Sequence, residues 1–251
     1  MELRPQSRLL KEKDSPSFVS LRRTRIPRNG DYDPIEEAGS AADFLPPRLT
    51  LPALREAVQG CRGCQLYNNA TQAAFGEGAR SATVRRVGEQ PGDHEDRSGR
   101  PFVGPAGRLL DRALEEAGID RSAAYLTNTV KHFKWEARGK RRIHAKPSWS
   151  EVAACRPWLD AELAVVKPTV LVLLGAVAAQ GLLGTQFRVT KQRGELVDSP
   201  LAPYVTATIH PSAILRGELA DRDHALVGLV SDLRKVAEWC EPKRRSRSAG
   251  R

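Results

Sequence analysis

Hydrophobic and polar residues follow two different periods along the middle of the chain. Four short runs rich in apolar and β-branched residues have the length of buried strands: residues 82–88, 124–128, 169–175 and 204–210. Between them, apolar residues recur every three or four positions, as they do on one face of a helix. Strands that alternate with helices predict a parallel sheet with helices on both faces. We therefore expect an α/β fold of three layers, α/β/α, around a central, mainly parallel four-stranded sheet.

Three of the helical segments have recognisable faces or ends. Residues 104–119 and 221–239 each place their apolar side chains on one helical face. Residues 148–167 begin at a capping residue, Ser148 or Ser150, and end before a proline. These segments supply the outer layers of the predicted fold.

Polar segments follow three of the four predicted strands. They are GEQPG at 88–92, TNTVKHF at 127–133 and HPSAILR at 210–216. In open parallel sheets, ligands bind beyond the carboxyl ends of the strands, where such segments meet. We expect the three segments to converge on one site.

The net charge of +10 is concentrated at the two ends of the chain. Residues 1–50 are rich in turn formers, and residues 241–251 hold five basic residues and one acidic residue. We predict two basic, low-order arms around one domain at residues 51–240. Such arms either contact nucleic acid or only keep the chain soluble, and composition leaves both interpretations open.

The chain contains neither a membrane span nor a secretory signal in its pattern. It has no run of about 18 apolar residues, and its N-terminus lacks the apolar core of a signal peptide. We therefore expect a protein of the cytoplasm that contacts no membrane.

The four cysteines raise the question of a metal site. Cys61 and Cys64 form a C-x-x-C pair, whereas Cys155 and Cys240 stand alone. Disulfides are rare in the cytosol, and a thioredoxin-type pair would follow a strand rather than the helical pattern of residues 51–64. Zinc, an iron–sulfur cluster and reduced buried thiols all remain compatible with this spacing.

One basic segment lies inside the predicted domain. Residues 131–146 carry seven Lys and Arg residues and one acid, with Phe133 and Trp135 between them. Cations interleaved with aromatic rings suit contacts to phosphates and stacked bases. A solvated basic loop is the simpler interpretation of the same pattern.

Several motifs, taken in order, resemble the iron–sulfur uracil-DNA glycosylases, family 4 of that superfamily. They are CRGCQLYNNATQAAFGEG, VGEQPGDHEDRSGRPFVGPAGRLL, YLTNTVKHF, EVAACRPWL and HPSAILR, and they run from Cys61 to Arg216. Two departures from family 4 resemble its UdgX branch: Gln90 replaces an alanine, and RGKRRIHAK at 138–146 is an insertion. Proteins of that branch excise uracil and remain covalently joined to the DNA through the histidine of the insertion.

This resemblance implies a 4Fe-4S cluster with four protein ligands. The implied ligands are Cys61, Cys64, His132 and Cys155. His132 stands where family 4 has a cysteine, so the set departs from the four-cysteine pattern. Cys240 lies outside it.

The resemblance also implies how a flipped uracil would be held. Phe102 would stack on the base, Asn128 would pair with O4 and N3–H, and His210 would donate a hydrogen bond to O2 as negative charge develops. Without the motifs, each has an ordinary interpretation as a core or turn residue.

His144 is the implied nucleophile, and Arg142 is expected to pin its loop. Four more polar residues are assigned to this site, Glu89 and Asp93 to catalysis and Gln90 and Asp96 to the substrate.

Three functions remain: a single-turnover glycosylase in base-excision repair that attaches through His144, a turning-over glycosylase that uses water, and a non-catalytic iron–sulfur DNA-binding protein. In each case the expected partner is uracil-containing DNA, single strands included, and the chain is expected to act as a monomer at the nucleoid.

Overall fold

The computed structural model describes residues 24–25, 39–122 and 124–240. Most of the predicted arm at 1–50, and all of the arm at 241–251, lie outside these residues. Residues 39–50 belong to the fold rather than to an arm, because the short 3-10 helix Ala41–Phe44 packs on the helix Trp149–Val166 and Ala41 is buried. The other boundary of the domain stays a prediction.

Within the described residues, six of the eight strands form one sheet, in the order β1-β7-β8-β6-β2-β3. The strands are β1 Thr24–Arg25, β2 Val84–Gly88, β3 Ala124–Asn128, β4 Trp135–Arg138, β5 Arg141–His144, β6 Val170–Leu174, β7 Val197–Asp198 and β8 Tyr204–Thr208. All neighbours in the sheet are parallel except β7 and β8. The four predicted strands are consecutive neighbours in this sheet, β8-β6-β2-β3, and all are parallel, which confirms the mainly parallel fold. The two strands of two residues each at its edge were not predicted.

Helices cover both faces of the sheet, as predicted. They are α1 Leu51–Ala57, α2 Asp93–Ser98, α3 Pro105–Glu116, α4 Trp149–Val166, α5 Gly175–Leu183, α6 Val189–Gln192, α7 Pro211–Arg216 and α8 Leu219–Cys240. On one face α3 and α8 share a core with β2, β3 and β6, and on the other α5 and α4 pack on β6 and β8. Ser148, one of the two predicted caps, accepts a hydrogen bond from the Glu151 N–H and starts α4. Within the described ranges, no helix combines the length and the apolar composition that crossing a membrane requires.

The insertion, which we predicted as a loop, is a β-hairpin of β4 and β5. Gly139 opens its two-residue turn at φ +58°, a conformation that glycine adopts without strain. Side chains alternate along a strand, so Arg142 and His144 share one face of β5 and Arg141 and Ile143 share the other. The hairpin follows β3 after six residues and lies at the carboxyl edge of the sheet.

Candidate active site

Three side chains meet over the backbone of Gly88 at the end of β2, and we call the place where they meet the Gly88 pocket. A Cβ placed there would lie 2.4 Å from Asn128 Oδ1, 2.7 Å from Phe102 Cζ and 3.4 Å from His210 Nε2. The three side chains predicted to hold a base therefore converge on one point. They come from three separate segments of the chain, as the motif positions predicted.

Phe102 reaches this pocket through an uncommon backbone conformation. Its φ of +57° lies in the left-handed region, which costs a non-glycine residue free energy. Its carbonyl packs so closely on Gly107 of α3 that a Cβ there would overlap it. The Glu95 carboxylate holds the surrounding loops, because it accepts the N–H groups of Gly92 at 3.1 Å and Gly104 at 2.7 Å.

His210 is a neutral hydrogen-bond donor whose tautomer is fixed. The Ser212 backbone N–H donates to its Nδ1 at 3.1 Å, so the ring proton is on Nε2, the atom nearest the pocket. Burial lowers the pKa of His210 to about 4, and the charge of Arg216 adds to this effect. At neutral pH His210 therefore presents an N–H without a positive charge.

Asn128 is held through its backbone carbonyl, while its side chain faces the Gly88 pocket. The residue is only 2% exposed, and Lys131 Nζ donates to its carbonyl oxygen at 2.7 Å. No described residue hydrogen-bonds its side-chain amide, which offers a donor and an acceptor side by side. This is the arrangement expected of a group that reads the edge of a base.

Arg142 ties the hairpin to α2 through two carboxylates. Its guanidinium lies 2.5 Å from Asp93 Oδ1 and 2.6 Å from Asp96 Oδ2. Burial raises the pKa of Asp93, but the hydrogen bonds from Arg97 and Arg142 outweigh this effect, so the pKa is lowered overall. Asp96 is fully buried and also accepts the backbone N–H and the hydroxyl of Thr71. Asp93 and Asp96 both hold Arg142, and the roles that we assigned to them in catalysis and substrate binding stay predictions.

Gln90 fixes the base of the same hairpin. Its Nε2 donates to the carbonyls of Lys134 at 3.2 Å and Ala145 at 2.9 Å, and its Oε1 accepts the Lys134 N–H at 3.0 Å. These bonds use the whole side-chain amide. The Gln90 side chain is therefore bonded to the hairpin, and its role in substrate binding stays a prediction.

The hairpin brings His144 to the predicted acid. His144 Nε2 lies 3.5 Å from Glu89 Oε1, next to Gly88. Burial, helped by the charge of Arg216, lowers the pKa of His144, and burial raises the pKa of Glu89. Both shifts disfavour an ion pair, so the close approach is not a salt bridge. At pH 7 His144 is a neutral imidazole with an available lone pair.

The three cysteines of the predicted cluster lie in one apolar region beside α1 and α4. Trp158 Nε1 donates to Cys61 Sγ at 3.2 Å, and the Lys131 backbone N–H donates to Cys155 Sγ at 3.3 Å. Burial raises the pKa of Cys155 to about 12, so a thiolate here needs a cation beside it.

Cysteine thiolates and a neutral imidazole are residue types that ligate iron–sulfur clusters. Among the residues that the structure covers, no three His, Cys, Asp or Glu side chains are placed to share one metal ion. An iron–sulfur cluster spreads its ligands over several iron atoms, and N–H groups directed at sulfur are typical of its surroundings. His132, the fourth predicted ligand, is buried, and burial lowers its pKa to about 4, which keeps its ring neutral for ligation.

Sequence analysis missed three contributors to this site. Gly88 opens the pocket by lacking a side chain, Thr71 supports Asp96, and Lys131 holds the Asn128 carbonyl. All three residues fall inside the quoted motifs, so their positions were a signal. The contact of Thr71 with Asp96 spans 25 residues of the chain, and the sequence did not indicate it.

Comparisons with known proteins show the family of this chain. Residues 75–234 match the family described as the uracil DNA glycosylase superfamily. A type-4 uracil-DNA glycosylase of Thermotoga maritima is 40% identical over 162 residues, which are 64% of this chain and 81% of that protein. The type-4 enzyme of Pyrobaculum aerophilum is 33% identical over 67% of this chain and 86% of its own. The structure of Pedobacter heparinus SMUG2 covers 63% of this chain and 77% of its own, with a TM-score of 0.47 and 13% identity.

Proposed function

Because this chain belongs to the uracil-DNA glycosylase superfamily, we propose that it excises uracil from DNA and stays attached to C1′ of the sugar through His144. The observation that carries this proposal is a neutral imidazole, His144, 3.5 Å from Glu89 and beside the Gly88 pocket. In the proposed reaction His144 occupies the place that an attacking water takes in a turning-over glycosylase. These features are those of the UdgX branch.

The Gly88 pocket supports recognition of a flipped uracil. Phe102 supplies a stacking surface, and Asn128 supplies the donor–acceptor pair that matches O4 and N3–H of uracil. His210 Nε2–H donates to O2, on which negative charge develops as the base leaves. A preorganised donor of this kind contributes roughly 3 to 4 kcal/mol to the stability of a transition state.

The covalent step needs no reactant beyond the two molecules. The C1′–N1 bond breaks, and its electron pair leaves with uracil. The lone pair of His144 forms the new C1′–N bond, and Glu89, when ionised, faces the positive charge that develops on the sugar. The uracil anion takes a proton from solvent, and the alkylated ring loses its remaining N–H proton to Glu89 or to solvent.

The attached state persists because imidazole is a poor leaving group from C1′ once it is neutral. Release would require an acid that protonates the other ring nitrogen, so that the ring leaves as neutral imidazole instead of as an imidazolate anion. The neighbouring cation, Arg216, donates to Ser212 and cannot act as such an acid. One protein molecule is therefore consumed for each uracil removed.

We further propose that Cys61, Cys64, His132 and Cys155 hold a 4Fe-4S cluster. When bound, the cluster cross-links the segment after α1, the start of the hairpin and helix α4. The hairpin lies in the chain between two of these ligands, His132 and Cys155, so the cluster would fix both of its ends. No chemical step is assigned to it.

A denaturing gel tests the proposal directly. The protein is mixed with a labelled single strand that holds one uracil, and a strand with thymine at that position serves as the control. We expect a band shifted by the mass of the protein that survives SDS and heat, and that is absent with thymine and with His144→Ala. Strand breakage after alkali without the shift would instead identify a turning-over glycosylase in which Glu89 directs water. A shifted band with His144→Ala would refute the assigned nucleophile, and neither signal would leave a DNA-binding protein.

A further inference from the structure

We propose that Lys131 is a positioning residue that fixes the turn carrying Asn128, and this inference rests on the function proposed above. Lys131 contacts neither the Gly88 pocket nor the hairpin nucleophile. Its side chain reaches back under the turn that follows β3. From there it sets the place of the residue that reads the base.

The Lys131 side chain is fully buried, and each of its N–H groups has an acceptor. Nζ donates to Asn128 O at 2.7 Å, to Thr127 Oγ1 at 2.8 Å and to Glu162 Oε2 at 2.5 Å. An ammonium group has three N–H donors, so these partners saturate it. A buried lysine is costly unless its charge is paired in this way, so its retention here indicates a specific task.

Glu162 of α4 holds Lys131 from behind. Besides Lys131, its carboxylate accepts the hydroxyl of Tyr125 at 2.8 Å, the hydroxyl of Thr127 at 2.8 Å and the backbone N–H of Gly76 at 3.1 Å. These donors come from three places in the chain and leave the carboxylate little freedom to move. A buried network whose members are all satisfied is rigid, so the position of Lys131 Nζ is set by the protein core.

The turn is tied to the pocket on its other side. The Thr129 N–H donates to Gly88 O at 2.9 Å, and the Val130 N–H donates to Glu89 O at 3.0 Å. Lys131 Nζ therefore holds the start of the turn through Asn128 O, while Gly88 and Glu89 hold the residues that follow. Without this donor the buried Asn128 carbonyl would have to find another partner, and the side chain that reads the base would move with it.

The variant that tests this removes both charges of the ion pair, and the buried guanidinium of Arg85 then also loses the nearby charge of Glu162. Lys131→Met is combined with Glu162→Gln, because loss of one partner alone would destabilise the whole chain. Tyr125→Phe is the matched control, since it removes another hydrogen bond to Glu162 and leaves the bond from Lys131 to Asn128 intact. If the double variant does not fold, Lys131→Arg replaces it, because a guanidinium keeps the charge but cannot place an N–H at the same point.

The first measurement is amide hydrogen exchange at Thr129 and Val130, which does not depend on any reaction. We expect faster exchange in the double variant by roughly tenfold or more, and unchanged exchange in Tyr125→Phe. Equal exchange in the double variant and in the unmodified protein would overturn the inference. Hydrogen exchange tests the role of Lys131 even if the unmodified protein does not act on uracil. Lack of activity on uracil would count against the proposed function alone.

The second measurement is a double-mutant cycle with Asn128→Ala on the rate of uracil release at saturating DNA. We expect the Lys131→Met/Glu162→Gln change to lower this rate on the order of tenfold in the unmodified background and by about twofold or less in the Asn128→Ala background. Non-additivity of this size means that Lys131 acts through Asn128. Equal losses in both backgrounds would mean a general structural role and would overturn the inference while leaving the proposed function intact.

Discussion

At the scale of single residues, desolvation lowers the pKa of both imidazoles of the site, although the His144 side chain is still 38% exposed. His144 and His210 are both imidazoles whose pKa is lowered, and the charge of Arg216 contributes to both shifts. A neutral His144 can attack a carbon atom, and a neutral His210 with its proton on Nε2 can donate to a leaving oxygen. Exposure to water would raise the pKa of both rings towards the ordinary value of about 6.5 and so increase their protonated fraction.

The lowered pKa of His144 predicts the acid limb of the reaction. Protonation removes the attacking lone pair, so the rate of attachment should be constant around pH 7 to 8 and fall as pH drops below the ordinary imidazole value of about 6.5. Glu89, whose pKa burial raises, loses its negative charge on the same side. Single-turnover rates on denaturing gels at saturating DNA measure this limb. Arg216→Gln should move it to higher pH, and a rate that rose on acidification would contradict the assignment.

Gly88→Ala should close the pocket without disturbing the fold. The added Cβ would lie 2.4 Å from Asn128 Oδ1 and 2.7 Å from Phe102 Cζ, so the reader or the stacking ring must shift. Displacements of this size cost a reaction roughly 100-fold in rate. Gly60→Ala is the matched control, because nothing lies within 4 Å of a Cβ at that position. Equal rates of uracil release in both variants would show that the base binds elsewhere.

At the scale of secondary structure, the β4–β5 hairpin separates two tasks on its two faces. Its inner face carries Arg142, which binds Asp93 and Asp96, and His144, which meets Glu89. Its outer face exposes Arg141 and Ile143. Three consecutive cations and a histidine in one short stretch are therefore not equivalent groups.

This division predicts different outcomes for neighbouring arginines. Arg142→Gln removes the clamp, so His144 loses its fixed distance to the sugar and attachment should slow by roughly 100-fold. Arg141→Gln removes one exposed charge and should change the rate only a few-fold, through weaker phosphate binding that salt also weakens. Attachment rates of the two variants at low and moderate salt provide the measurement. Similar losses in both would mean that the loop acts by charge alone.

The sequence predicted the central elements and misjudged the hairpin for a physical reason. The strands of the sheet are short apolar runs, and their pattern is visible in the chain. The hairpin is polar on both faces, so its alternation carries no apolar signal and it resembles a basic loop. The contacts of Gln90 with the hairpin could not be predicted, because its hydrogen-bond partners, Lys134 and Ala145, lie 44 and 55 residues away in the chain. Contacts at that separation depend on the tertiary fold.

At the scale of the whole molecule, the predicted cluster ligands come from segments that are far apart in the chain and share one apolar core. Cys61 and Cys64 follow α1, His132 precedes the hairpin, and Cys155 lies in α4. A group that binds all four would join the N-terminal helical segment to the sheet and fix the entry to the hairpin. Cluster loss should therefore affect stability and attachment together.

Removal of one ligand tests this coupling, and Cys240 offers a matched control because it lies outside the predicted set. We expect the unmodified protein to be brown and to contain iron, and Cys155→Ala to lose colour and iron. Its melting temperature should fall on the order of 10 °C, since about 1 kcal/mol corresponds to a few degrees for a chain of this size and a lost metal centre costs several kcal/mol. Attachment should fall with it, because His132 and Cys155 flank the hairpin that positions His144, whereas Cys240→Ala should retain iron, stability and attachment.

Iron analysis, visible absorbance, thermal melts and the denaturing gel measure these properties on the same samples. A colourless protein with stoichiometric zinc would refute the cluster, and an unchanged melting temperature in an iron-free Cys155→Ala protein would refute its structural role, leaving the hairpin fixed by Gln90 and Arg142 alone.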